Sequence, residues 1–392
     1  MIKRELTSIL HHLAEQFRVL AILGPRQSGK TTITQEAFSK HVYVSLEDSD
    51  IRSFAEKDPR AFLQLHNNDY GIILDEIQHV PSLLSYIQTE VDRTKKKGFF
   101  VLTGSQNFLL NEKITQTLAG RVVIFTLLPL SVHELQQANF LPKDINTLML
   151  QGSYPTIYAD NVDPLYWYPA YISTYVERDI RQIKNVTNIS LFQTFIKLCA
   201  GRIGQLLNVN SLANDCGISA VTAESWISLL EMSYILFRVQ PHYKNFSKRI
   251  VKTSKIYFYD TGLACSLLEI DNPKQLAMHY LRGGLFESFV FSEILKMQYN
   301  RGLTPHPYFW RDKTGHEVDC VIERGGKLHA IEMKAGKTIS SDYFDGLTYW
   351  KDMALSDAGT SYLVYAGDES QKRTVADVLK WEDVTRIMEI FE

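Results

Sequence analysis

Through the first 130 residues, short apolar runs alternate with stretches whose apolar positions recur every three or four residues. Residues 19–23, 42–46, 71–74, 99–103 and 122–128 read as strands, with helices between them. Alternation of this kind predicts a mainly parallel sheet covered by helices. The run Gly71-Ile72-Ile73-Leu74 has no polar face, as a strand buried on both sides requires. Ahead of these elements, Ile2, Leu6, Ile9, Leu13 and Phe17 fall at helical spacing, predicting an amphipathic helix over residues 2–17.

Farther along, the pattern changes. Residues 130–200 read as helical and carry Tyr166, Trp167, Tyr168, Tyr171 and Tyr175, a density that points to lid or interface packing ahead of base stacking. Helices are predicted over 191–200, 211–216 and 221–232, with a turn at Gly217-Ile218-Ser219 before the last. Strands over 234–239 and 255–259 would flank a wing, completing a winged helix-turn-helix. Lys244, Lys248, Arg249, Lys252 and Lys255 would lie in that wing, interleaved with His242, Tyr243 and Phe246. Such a mixture suits phosphate contacts and stacking, although winged domains also serve protein contacts. From about residue 275 a helix carrying Glu287 leads to strands at 308–311, 317–322 and 329–333, the last two joined through Gly325-Gly326.

The first strand runs into Gly24-Pro25-Arg26-Gln27-Ser28-Gly29-Lys30-Thr31-Thr32, which fits G-x-x-x-x-G-K-[ST] between a strand and a helix expected over 32–40. That context makes the stretch a phosphate-binding turn. The two glycines let successive N–H groups point at phosphate oxygens, and the helix N-terminus favours negative charge. Lys30 would reach the β- and γ-phosphates of ATP, and the Thr31 hydroxyl would join the Mg²⁺ shell. The third strand ends in Asp75-Glu76, a Walker B pattern: Asp75 would complete the Mg²⁺ shell and Glu76 would act as general base toward water. The fourth strand, expected between the first and third, ends in Ser105-Gln106, either of which could orient that water; helix capping by Ser105 or Asn107 is the competing reading. Arg178 is a candidate arginine finger, with Arg121 and Arg181 as competitors and a plain surface ion pair as the alternative.

Composition narrows the remaining choices. At 392 residues the chain exceeds one ordinary core and suggests two to four domains. Its net charge of −2 provides no global field for nucleic acid, so any such contact must come from a local patch. Cys199, Cys216, Cys265 and Cys320 form no CxxC pair, which argues against a zinc site or disulfide framework and for core cysteines in a reducing cytoplasm. Lys3, Arg4 and Glu5 leave no apolar leader, and no uncharged apolar run is long enough for a membrane span.

The segments Gly24–Thr31, Leu74-Asp75-Glu76, Thr103-Gly104-Ser105 and Leu118-Ala119-Gly120-Arg121 together resemble an AAA+-like ATPase family of bacteria and archaea. Its members carry a C-terminal domain of unknown function that looks nuclease-like. The likeness extends to Gly152-Ser153-Tyr154-Pro155, Tyr175–Ile180, Lys255–Leu263 and Arg282–Glu287, nearly the whole chain. Glu317-Val318-Asp319-Cys320, followed by Ile331-Glu332-Met333-Lys334, resembles the PD-(D/E)xK nuclease core, with Val318 in place of the motif's proline. That resemblance implies a second divalent cation, Mg²⁺ or Mn²⁺, held by Asp319 and Glu332 with help from Glu287, and Lys334 orienting the attacking water.

The fold class expected is therefore α/β: an AAA+-like P-loop parallel sheet over 1–140, a helical lid over 141–189, a winged helix-turn-helix over 190–274 and a PD-(D/E)xK nuclease-like α/β domain over 275–392. Three functions follow. One is an ATPase that hydrolyses Mg-ATP to drive or gate a DNA- or RNA-binding, nuclease-like region. Another is a nucleotide switch or scaffold that recruits a protein partner through an inert nuclease fold. A protein-remodelling ATPase ranks last because no aromatic pore loop is visible. Oligomeric state stays open.

Overall fold

A computed structural model describes residues 2–105, 108–176, 188–242 and 253–391. The chain divides into two compact units: residues 1–130, 232–234 and 298–303 form the first, and residues 131–231, 235–297 and 304–392 the second.

In the first unit, strands β1 (Val19–Gly24), β2 (Val42–Ser45), β3 (Ile72–Asp75), β4 (Phe100–Ser105) and β5 (Val122–Thr126) form a parallel sheet in the order β2-β3-β4-β1-β5. β4 lies between β1 and β3, as expected from the sequence. The period of two inside the apolar strands divides them between two cores. Val19, Ala21, Leu23, Ile72 and Leu74 pack with Ala55, Phe62, Leu84, Ile87 and Val91 from the helices Ser49–Lys57, Pro59–Leu65 and Leu83–Thr94. Leu20, Ile22, Ile73 and Val101 pack with Leu10 and Ile33 from Thr7–Ala14 and Lys30–Ala37. The lead-in helix is shorter than its apolar spacing suggests, and the helix after the glycine-rich turn begins at Lys30.

The second unit contains helices Ile145–Gln151, Pro155–Ala159 and Pro164–Tyr171, then Ile189–Ala200, Val209–Cys216 and Ala220–Met232. Trp167 stacks on Tyr171 at 4.9 Å and tilts against Tyr154 at 4.8 Å; all three are buried, so these aromatics are packing groups. Strands β6 (Leu236–Pro241) and β7 (Lys255–Phe258) pair antiparallel after the three helices. They extend a sheet made with β8 (Tyr308–Arg311), β9 (Glu317–Arg324), β10 (Lys327–Lys334), β11 (Ala358–Tyr365), β12 (Gln371–Lys372) and β13 (Asp377–Lys380). Its order is β12-β13-β11-β10-β9-β8-β6-β7. The boundary expected between 274 and 275 falls within this unit, whose sheet is continuous across it through the parallel contact of Gln240 and Pro241 with Tyr308 and Phe309.

A buried polar knot ties the first half of the unit to its middle. Asp260 caps the helix Thr261–Leu267 through Leu263 N (2.9 Å) and accepts from Ser153 N (2.7 Å) and Ser153 Oγ (2.9 Å). Tyr168 Oη lies 2.7 Å from Asp260 Oδ1. Lys296 Nζ donates to Ser153 Oγ (3.0 Å) and Glu293 (2.8 Å), and Glu293 in turn accepts from Val132 N (2.8 Å). All four cysteines are buried and free, as core residues should be.

Candidate functional site

The turn between β1 and the helix Lys30–Ala37 is bent by its own backbone. Gly29 lies in the left-handed region at φ 91°, and a Cβ on Gly24 would stand 2.2 Å from the Leu127 carbonyl oxygen. No other residue fits at Gly24 without moving main chain. Lys30 is buried and its Nζ donates to the carbonyls of Gly24 (3.2 Å) and Pro25 (2.8 Å), which places an ammonium inside the curl of the loop. The hydroxyl of Ser28 is buried and has no hydrogen-bond partner among the described residues. A cradle with a fixed cation, a helix N-terminus and an orphaned hydroxyl fits an acceptor-rich phosphate. Arg4, which the sequence gave no reason to select, is buried and fastens the loop by donating to Ser28 O (2.6 Å) and Leu128 O (2.7 Å).

At the same sheet edge, the carboxylate of Asp75 accepts from Thr31 Oγ1 (3.0 Å), from Tyr43 Oη (2.7 Å) and from Thr103 Oγ1. Thr31 and Asp75, predicted to share Mg²⁺, are thus in direct contact; Tyr43 and Thr103 are partners not foreseen. Glu76 follows with φ 57°, a left-handed conformation costly for a residue with a Cβ. Its carboxylate accepts from Ser105 Oγ (3.1 Å) and from Gln78 Nε2, and its own N–H donates to Thr103 Oγ1 (3.2 Å). Burial pushes the Glu76 pKa up, but Lys30, the Gln78 hydrogen bond and Arg26 outweigh it and hold the group below its ordinary value. Gln106, Asn107, Arg178 and Arg181 lie outside the described residues. Arg121 is settled against Asp92, with Nε 2.7 Å from Oδ1. It precedes β5, whose start pairs with Val19 at the far end of β1 from Gly24, and a five-residue strand separates the two edges by ~17 Å.

In the second unit, Glu287, Glu317, Asp319, Glu332, Lys255 and Lys334 form one charged cluster. Lys255 Nζ bonds Glu317 and lies 3.6 Å from Glu287 Oε2, which also accepts from Tyr257 Oη at 2.7 Å. Lys334 pairs with Glu332, as alternation along β10 predicts, and stands 3.9 Å from Asp319. Asp319 Oδ2 accepts from Met333 N (2.8 Å), while Glu332 Oε2 is buried without a hydrogen-bond partner among the described residues. Burial first, then the charge of Asp319, pushes the carboxyls of Glu287 and Glu332 up.

Two expectations are corrected here. Lys255 is no wing residue reaching for phosphate: it is 4% exposed and points into the cluster from the first position of β7. His242 is likewise buried, its ring against Tyr308 at 5.4 Å. The Glu287, Asp319 and Glu332 carboxylates, expected to hold a second cation, lie in one cluster, but among the described residues no group of three or more His, Cys, Asp or Glu side chains is placed as a metal site. Lysine ammoniums stand against these carboxylates instead. Lys244, Lys248, Arg249 and Lys252, with Tyr243 and Phe246, lie outside the described residues.

Comparison with known proteins assigns a class to the first unit. Residues 16–136 match the AAA domain family, and the parallel sheet and glycine-bounded turn make this segment similar to an AAA+-like P-loop ATPase fold. Residues 142–274 and 282–384 match two domains of unknown function (DUF8612 and DUF4143). An uncharacterized protein of Mycobacterium tuberculosis is 28% identical over 341 residues, covering 86% of this chain and 75% of its own. One from Haemophilus influenzae is 24% identical over 365 residues, covering 85% and 86% respectively. A solved Walker-type ATPase of Pyrococcus abyssi aligns with a TM-score of 0.47 at 15% identity, over 68% of this chain and 96% of that one. Among the described residues, no helix is long and apolar enough to cross a membrane.

Proposed function

We propose that the first unit binds Mg-ATP at Gly24–Thr32 and hydrolyses it through Glu76. The reading rests on one observation: Lys30 and Thr31 from one segment and Asp75 and Glu76 from another meet at one sheet edge, with Thr31 and Asp75 3.0 Å apart. Thr31 and Asp75 would hold Mg²⁺, which supplies charge neutralisation at the β- and γ-phosphates. Lys30 exchanges weak carbonyl acceptors for phosphate oxygens, a stronger charge-assisted pairing. Glu76, kept ionised by Lys30 and Arg26, takes the proton from water, while Ser105 and Gln78 fix its orientation. Ser105 or Gln106 orients that water, and Arg178 serves as the finger that offsets charge developing on the γ-phosphate.

Lys30→Ala should weaken binding of a fluorescent ATP analogue by ~100-fold or more, the cost of one buried charged contact. Undiminished affinity would remove the cradle reading. Tyr43 gives a second handle. Its phenol steadies Asp75, so Tyr43→Phe should raise the Mg²⁺ concentration for half-maximal turnover by ~5-fold, with nucleotide affinity in EDTA unchanged. An equal loss in EDTA would make Tyr43 merely structural.

For the second unit, the lysine-neutralised cluster favours the scaffold reading: ATP state in the first unit controls recruitment of a protein partner, and the nuclease-like fold is inert. The nucleic-acid reading retains only Lys244, Lys248, Arg249 and Lys252.

A further inference from the structure

We infer that Lys255 is the resident cation of the second unit's carboxylate cluster, paired with Glu317 and facing Glu287 beside the acids that the nuclease resemblance assigns to a divalent metal, so that the cluster takes up neither Mg²⁺ nor Mn²⁺. The inference rests on the reading of this fold as non-cleaving and gives its physical cause.

Metal binding needs carboxylate oxygens that converge with free lone pairs. Here Glu317 is bonded to Lys255 and ion-paired with Arg311 at 3.2 Å, Glu287 accepts from Tyr257 at 2.7 Å and faces Lys255, and Glu332 Oε1 is bonded to Lys334, so that Glu332 Oε2 is the one oxygen of these three acids shown buried without a hydrogen-bond partner among the described residues. The remaining donor, Asp319, is turned onto the Met333 N–H at 2.8 Å. Lys255 is buried: the residue is 4% exposed, and its ammonium also lies 5.6 Å from the centre of the Phe309 ring. A divalent ion entering the cluster would meet two lysine ammoniums, so like charge opposes it before any ligand is gained. Lys255 comes from β7, outside the 282–384 segment that supplies Glu287 and Glu317. The cation therefore reaches those acids through the β6–β8 pairing.

The test is Mn²⁺ binding by the nucleotide-free full chain, read from the electron paramagnetic resonance signal of free Mn²⁺. An Asp75→Asn background removes any ion held at the first unit. The chain with Lys255 should show no Mn²⁺ site sensitive to Asp319→Asn. Lys255→Met should gain one, binding Mn²⁺ at least tenfold more tightly, and Lys255→Met with Asp319→Asn should lose it again. A Mn²⁺ site present with Lys255 in place and removed by Asp319→Asn overturns the inference, and this comparison needs no change at Lys255. A folded Lys255→Met chain that gains no site overturns it as well. Incubation with DNA and RNA, with Mn²⁺ or EDTA, tests the non-cleaving reading separately: cleavage lost in Lys334→Ala sinks that reading, whatever the Mn²⁺ count.

Discussion

Glu76→Gln should leave ATP bound and lower turnover by ~10²–10⁴-fold, the range for loss of a general base. Glutamine keeps the length of the side chain and can offer its amide oxygen to Ser105 Oγ and Gln78 Nε2, so the local structure survives. Basicity is what disappears. Phosphate release measured beside nucleotide affinity separates the two, and a wild-type rate in the variant would exclude Glu76 from the chemistry. The pH profile gives an independent reading with a definite sign. The base acts when deprotonated, and its pKa is held below the ordinary 4.5 despite burial. The acid limb of turnover therefore lies below the ordinary 4.5 of a glutamate.

Gly152→Ala should be among the most damaging substitutions in the second unit, destabilising it by about 3 kcal/mol or more. Gly152 ends the helix Ile145–Gln151 at φ 67°, and an added Cβ would stand 1.9 Å from Tyr168 Oη and 2.4 Å from Asp260 Oδ1. Relief requires moving Tyr168 or Asp260, and each holds the buried knot that includes Ser153 and Lys296. Gly217 is the control: it also caps a helix in the left-handed region, at φ 73°, but a Cβ there meets nothing within 4 Å. Gly217→Ala should cost only the conformational term, about 1–2 kcal/mol. Equal losses for the two variants in chemical unfolding would show that the crowding around Tyr168 is unimportant.

The first unit was legible because its chemistry is local. Gly24, Gly29, Lys30 and Thr31 lie within one turn, and apolar strands deliver Asp75 and Glu76 to a predictable edge. Arg4 was not legible, since its acceptors, Ser28 and Leu128, lie 24 and 124 positions along the chain. Tyr43 looked like an ordinary strand residue until the β2–β3 register, which pairs it with Ile73, brought its hydroxyl within reach of Asp75 two positions on. Lys255 was misread for a different reason. It follows a run of bases, and a charge run suggests solvent, yet alternation in Lys255-Ile256-Tyr257 already put Lys255 and Tyr257 on one face of β7. Both converge on Glu287. The sequence showed strands on either side of residue 274 but could not show that β6 and β8 are neighbours, because pairing depends on tertiary packing.

That pairing determines how the gene for this chain can be divided. A fragment beginning at residue 275 would keep Glu287 and Glu317 and leave behind Lys255, the ammonium that compensates them. It would also bare the edge of β8 that Gln240 and Pro241 cover. The two halves of the second unit are thus a single inheritance: neither can be transplanted into another protein, or produced alone, without stranding buried charge.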